Sequence, residues 1–182
     1  MTRFHTEDDV LGSGRFLVLK RRQGWEFVDR PGIDEVAVII AVTDDNCAVF
    51  VEQYREPVSA RTVEWAAGLV GDDQGEDGEH LLGAASRELE EETGFRAAKL
   101  RILGRGPSSG GLATEVVTFL QAEGLKRVGK GGGVEGEEIK VCLVPLAEID
   151  HWLCQRTEEG LLIDPKVYAG LYWLEHPESI AP

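Results

Sequence analysis

Four of the five residues from Glu88 to Glu92 are glutamates, and the fifth, Leu89, is apolar. The apolar residues around them recur at helical spacing. On a helix, like charges three and four apart repel by a few tenths of a kcal/mol per pair, so the run needs something to offset it. A multivalent cation is the first candidate. At about 100° per residue, Leu82, Ala85 and Leu89 form the expected buried stripe. Glu88 and Glu92 then lie about 40° apart on its border, with Glu91 further round. Such a ridge, half desolvated by the core, offers the oxygen ligands that suit Mg²⁺, an ion usually shared with substrate phosphates. The competing reading is a solvated acidic face, the usual meaning of a charge run.

The elements that must position this ridge are those of one domain. The chain has 182 residues, 42% of them hydrophobic, enough for a substantial core. It has no apolar run of about 18 residues and no basic-then-apolar start, so neither a membrane span nor a secretory signal is expected. Cys47, Cys142 and Cys154 are odd in number and lack metal-type spacing; they read as buried thiols in a reducing cytoplasm. A formal charge of −14 argues against nucleic acid as a partner. An anionic substrate would need bound cations or a local arginine cluster.

Residues 15–22 and 25–30 alternate apolar and polar side chains, which predicts a hairpin about Gln23-Gly24. Residues 35–43 and 47–54 look like central strands and 62–67 like another. The Glu-rich helix is expected over 79–93, stopped by Gly94 as a left-handed cap. Further strands are expected at 100–103, 115–121 and 139–144, with a flexible loop over 104–111 and a second Gly-rich loop over 129–136. Helices are expected at 147–157 and 165–175, the latter capped by Asp164 with Pro165 in its first turn. This order predicts an α+β fold, helices on both sides of a mixed sheet.

Arg87-Glu-Leu-x-Glu-Glu-x-Gly-Phe95, with Glu79 eight residues before Arg87, resembles the signature of the Nudix hydrolases. Every fixed position from Glu79 to Phe95 matches. The signature glycine matches Gly68 rather than Asp73, which makes the intervening loop five residues longer than the pattern. Glu52-Gln53-Tyr54-Arg55-Glu56-Pro57 and Glu64-Trp65-Ala66-Ala67-Gly68 are similar to a run in ADP-ribose pyrophosphatases and related nucleotide-sugar hydrolases. Trp65-Ala66 departs from the Leu-Pro or Phe-Pro usual there. Gly131-Gly-Gly-Val-Glu-Gly-Glu-Glu-Ile139 is similar to the glycine-rich loop of GDP-mannose hydrolases.

The resemblance implies an αβα sandwich and Mg²⁺-dependent (or Mn²⁺-dependent) cleavage of the diphosphate bond of a nucleoside diphosphate sugar, of ADP-ribose or GDP-mannose type. It implies metal binding by the Ala67 carbonyl, Glu88, Glu91 and Glu92, with Arg87 orienting those carboxylates. Glu137 matches the general base, with Glu135 and Glu138 as rivals, and Arg55 matches an arginine on the diphosphate. Trp25, Glu26 and Arg30 match a base-recognition motif, Trp25 by stacking. Glu79 is read as capping its helix rather than binding an outer metal. Residues 1–34 form the N-terminal strand and hairpin region implied in a homodimer, and 35–182 the catalytic domain. From a different class comes a regulatory module that binds nucleotide without turning it over. A bare cation buffer is a poorer reading, because the 68–79 loop lacks the spaced ligands of a calcium loop.

Overall fold

The computed structural model describes residues 8–33, 35–71, 80–134 and 136–177. Glu79, Glu135 and most of the inserted loop lie outside them. The chain begins with a small antiparallel sheet of β1 (Asp9–Ser13), β2 (Val18–Arg22) and β3 (Trp25–Asp29). The hairpin turns where alternation predicted: Gln23 and Gly24 both take positive φ, 52° and 82°, the backbone twist that two-residue hairpins favour. β1 was not anticipated. The small sheet rests on the body through the Val28 N–H, which donates to the Leu112 carbonyl at 2.8 Å, and the Thr114 N–H, which donates to the Val28 carbonyl at 3.1 Å.

The main sheet is built from β4 (Glu35–Ala41), β5 (Cys47–Arg55), β6 (Ala60–Val70), β8 (Lys99–Pro107), β9 (Val116–Glu123), β11 (Lys140–Pro145) and β12 (Leu162–Ile163). Its order is β11-β5-β6-β4-β9-β8, with β12 beside β6. The β4–β9 and β6–β12 pairs are parallel and the others antiparallel. A short ribbon joins β7 (Phe95–Arg96) to β10 (Lys126–Arg127). β6 changes partner along its length: residues 60–65 pair with β5, and 66–70 with β4.

Strand alternation divides the core. Val38 and Ile40 of β4 join Phe50, Trp65 and Phe119 beneath α2 (Ile149–Glu158) and α3 (Pro165–Glu175). Ala37, Ile39 and Ala41 join Ala85 and Leu89 beneath α1 (Leu81–Thr93) on the other face. The αβα arrangement follows. α3 begins as expected, with the Asp164 carboxylate accepting from the Lys166 N–H at 2.7 Å.

Three expectations need correcting. Leu82 is 49% exposed, and the buried side of α1 is formed by Ala84, Ala85, Leu89 and the partly buried Leu81 instead; Leu82, in the first turn, points away from the sheet. Residues 104–107 are strand rather than loop, because a Cβ on Gly104 would lie 2.9 Å from the Trp173 ring and the glycine lets β8 continue under α3. The thiols are not fully buried: Cys47 and Cys142 are half-buried and Cys154 is exposed.

α3 approaches the sheet closely at Gly170, where a Cβ would lie 2.8 Å from Trp65 Cε2, beside the Nε1 that donates to the Val167 carbonyl at 3.2 Å. A helix-interior Gly→Ala normally gains up to ~1 kcal/mol from propensity, whereas overpacking costs about 1–3 kcal/mol. The clash wins. Gly170→Ala is expected to lose ~1–2 kcal/mol in urea unfolding; unchanged or raised stability would contradict the packing described.

Candidate active site

α1 lies over the part of β6 where the strand changes partner, and glycine makes the approach close. A Cβ on Gly68 would overlap the side chain of Glu88, so the Glu88 carboxylate sits directly against the strand backbone. One turn on, Glu92 lies between Leu81 and Ala85 on the helix circumference rather than at the border of the stripe, and is only 6% exposed. The Ala67 N–H donates to its Oε2 at 3.1 Å. Gly94, at φ 74°, ends the helix, its N–H donating to the Glu90 carbonyl.

The glutamate run satisfies most of its own charge. Arg87 donates to Glu88 at 2.8 Å and to Glu91 at 3.1 Å. Arg96 makes a two-pronged pair with Glu90, both distances 2.9 Å. The repulsion read from the sequence is therefore met largely by neighbouring arginines, and does not by itself demand a cation. Burial makes the stronger demand. It pushes the Glu92 carboxyl up to about 8, against the Ala67 N–H and with the charges of Glu88 and Glu64 adding to the rise. Glu88 is also raised, by burial first, with Arg87 opposing and Glu91 and Glu137 reinforcing. Two desolvated carboxyls above a strand with no side chain at position 68 fit the oxygen chemistry of a hard divalent cation. Among the described residues, no three acidic, His or Cys side chains already converge on one point.

Beside Glu92 stands a pair that sequence reasoning only half identified. Arg55, at the end of β5, donates to both oxygens of Glu64 on β6, at 2.8 and 2.6 Å, and Thr62 Oγ1 donates to Glu64 Oε1 at 2.5 Å. Burial alone would raise Glu64, yet Arg55 and Thr62 hold its carboxyl below the usual range. Glu64 had drawn no role, although a charged residue between Val63 and Trp65 in an apolar strand was the signal available. The field of Glu92 also reaches Arg55, so pair and ridge share one electrostatic site.

The second Gly-rich loop docks on the C-terminal end of α1. The N–H groups of Gly132 and Gly133 donate to the carbonyls of Glu92 and Glu91, at 2.9 and 3.0 Å, and the Val128 N–H donates to Gly94 O at 2.8 Å. Carbonyls left free by the helix end thus find partners. Glu137 is exposed, and its carboxylate accepts from the Val134 N–H at 3.0 Å. Its charge is felt by Glu88. Glu138 is exposed as well.

The proposed base-recognition residues stand apart. Trp25, 64% exposed, donates its ring N–H to the Gly111 carbonyl at 3.1 Å, and Glu26 is exposed on the same strand. Among the described residues, neither is hydrogen-bonded or ion-paired to the α1 ridge. Arg30 lines a cleft of about 400 Å³ with Arg15, Phe16, Pro31, Leu69 and Gly71. Within one chain, then, Arg55, Ala67, Arg87, Glu88, Glu91, Glu92 and Glu137 gather around the C-terminal half of α1, and the Trp25–Arg30 group does not join them.

The chain is 39% identical over 156 residues to an ADP-ribose pyrophosphatase of Bacillus subtilis, covering 85% of this chain and 78% of that one. It is 34% identical over 155 residues to a methanol dehydrogenase activator of Bacillus methanolicus, with the same two coverages. A GDP-mannose pyrophosphatase of Cronobacter sakazakii is 29% identical, covering 76% of this chain and 72% of its own. A crystal structure described as an ADP compounds hydrolase has the same fold, at a TM-score of 0.69 and 20% identity over 96% of this chain and 95% of that one. The model of the NUDIX domain matches residues 34–162. By that match and by the 39% relative, the chain belongs to the Nudix hydrolase family.

Proposed function

We propose that the protein hydrolyses the diphosphate bond of a nucleoside diphosphate sugar of the ADP-ribose or GDP-mannose kind, releasing a nucleoside monophosphate and a sugar phosphate. The observation that carries this reading is the pair of desolvated carboxyls, Glu88 and Glu92, over Gly68 beside the Arg55–Glu64 pair. Glu88, Glu91, Glu92 and the Ala67 carbonyl would hold Mg²⁺ or Mn²⁺. When bound, the ion supplies charge neutralisation and Lewis acidity to the diphosphate. Arg55, fixed by Glu64, grips a phosphate oxygen with its exposed edge. Arg87 sets the directions of Glu88 and Glu91. Glu137 takes the proton of the attacking water. Free thiols suit a reducing cytoplasm.

Trp25, Glu26 and Arg30 would meet the base where a second copy covers the N-terminal sheet, the part within residues 1–34. Val10, Leu11, Phe16, Leu17, Leu19 and Trp25 leave large apolar side chains exposed on that sheet, surface that a homodimer would bury. A second reading takes its support from the relative named as a methanol dehydrogenase activator: the same surface would dock another enzyme, with nucleotide bound and not turned over.

With a nucleoside diphosphate sugar panel and phosphatase-coupled phosphate release, Glu137→Gln should lower kcat about 10²–10⁴-fold, and Glu92→Gln should raise the Mg²⁺ concentration needed for half-maximal rate. Turnover by Glu92→Gln at the wild-type level across a Mg²⁺ titration would sink the metal assignment; binding without turnover by the wild type would favour the second reading. The double change Phe16→Glu and Leu19→Glu should give a monomer in light scattering where the wild type gives a dimer.

A further expectation concerns pH. Below about pH 4.5 Glu92 is protonated in folded and unfolded chains alike. Between there and about 8 the unfolded chain releases the proton while the folded chain keeps it. Stability of the chelator-treated protein should therefore fall as pH rises through this window, by up to about 1.4 kcal/mol per unit from this group. Urea unfolding of Glu92→Gln should show a flatter dependence; an identical slope would mean that Glu92 is not held neutral.

A further inference from the structure

Three successive glycines, Gly131, Gly132 and Gly133, take φ of 70°, 109° and 83°, a conformation other residues adopt only under strain. The first two fit the loop to the helix end. A Cβ on Gly131 would lie 2.7 Å from the Glu92 carbonyl oxygen, and the Gly132 N–H donates to that same oxygen. The third does something different. A Cβ on Gly133 would overlap the Glu137 carboxylate and lie 2.9 Å from Glu137 Cβ and 3.0 Å from Ile139 Cδ1. The space that glycine leaves is filled by the side chain of Glu137. Its Oε2 is held there by the Val134 N–H, while the Glu137 N–H donates to the Val134 carbonyl at 3.1 Å.

We propose that Gly133 is a positioning residue for Glu137: the missing side chain makes a notch that holds the Glu137 carboxylate, and the bond from the Gly133 N–H to the Glu91 carbonyl ties that notch to the helix bearing the metal-ligand carboxylates. This rests on the reading of Glu137 as the proton acceptor. Base and ridge are then parts of one backbone frame, since the carbonyls anchoring the loop belong to Glu91 and Glu92, whose side chains are read above as metal ligands. The far end of the loop is pinned separately. Lys140 Nζ pairs at 2.9 Å with Glu52, a buried carboxylate that Arg156 of α2 also approaches at 3.5 Å. Residues 136–139 therefore lie between two fixed points, and the notch decides where the Glu137 carboxylate rests between them.

The test is a double-mutant cycle on the full chain with Mg²⁺ and a nucleoside diphosphate sugar. Gly133→Ala is expected to lower kcat at least about tenfold while KM and the half-saturating Mg²⁺ concentration stay within about twofold. In Glu137→Gln, adding Gly133→Ala is expected to change kcat less than about twofold, because there is no longer a base to position. Gly133→Asn, which tolerates positive φ better and still fills the notch, should behave like Gly133→Ala, separating notch-filling from backbone strain. Gly129→Ala should leave the rate unchanged, since its Cβ would meet only Gly94 Cα at 3.8 Å. Wild-type kcat in Gly133→Ala, full activity in Gly133→Asn, or losses that multiply in the double mutant would overturn the proposal. Full activity in Glu137→Gln would instead remove the base assignment beneath it, a failure visible in that single mutant alone.

Discussion

The burial of the Glu92 carboxyl in the contact between α1 and β6 is the constraint around which the site is arranged. Removing a carboxylate from water is expensive unless it is paired or protonated. Glu92 has an N–H donor, from Ala67, and the nearby Arg55 is committed to Glu64, so burial outweighs both and pushes its carboxyl up to about 8. A nonpolar residue there would pack α1 against the sheet at no such cost. A carboxyl at this position thus costs stability, which fits the proposed role of a group whose charged form serves a bound cation.

Glu64, a few residues from Ala67 on the same strand, shows the opposite solution. It is as deeply buried, yet two bonds from Arg55 and one from Thr62 keep it ionised. Two buried glutamates with environments that push them in opposite directions mark different roles. Glu64 is spent internally, fixing an arginine whose other face remains accessible. Glu92 is held in reserve. The difference comes from the partners that β5 and β6 supply across the sheet, and could not be read from the spacing of glutamates along the chain.

Glycines set the geometry on both sides of α1. Gly68 lets the helix settle until Glu88 touches the strand backbone, and Gly131 to Gly133 let the loop settle on the helix end. Much of this was legible in the sequence. The Glu-rich helix, its Gly94 stop, the Gln23-Gly24 hairpin and the Asp164 cap each depend on a few neighbouring residues, and local rules captured them. What escaped was set by distant contacts. Leu82 fits the helical period as well as Leu81 does, and only the position of the sheet decides which is covered. Residues 104–107 look like a loop until Trp173 of α3 supplies the reason for a glycine in a strand. Glu64 gains its meaning from Arg55, its partner across a hairpin, and Gly133 from a side chain four residues on that folds back over it.

Charge count and burial make separate demands on a cation, and here they diverge. By counting alone, four glutamates in five residues demand positive charge, and Arg87 and Arg96 provide it. Such surface pairs are weak and exchange readily with water or ligand. If repulsion were the whole argument, the arginines would have answered it and the ridge would be no more than a solvated face. The buried carboxyls are different because their arginines offset the desolvation only in part: Arg87 opposes it at Glu88 and the charge of Arg55 at Glu92, and both groups remain raised. A cation reaching Glu92 must displace its proton, and it gains more from that group than from an exposed one because the surroundings screen the interaction poorly. The acidic run accordingly divides by burial: Glu90 belongs to the surface, Glu91 lies at the rim beside Arg87, Glu88 is shared between Arg87 and the strand, and Glu92, on the proposed reading, is the oxygen donor at which a divalent ion would compete chiefly with a proton.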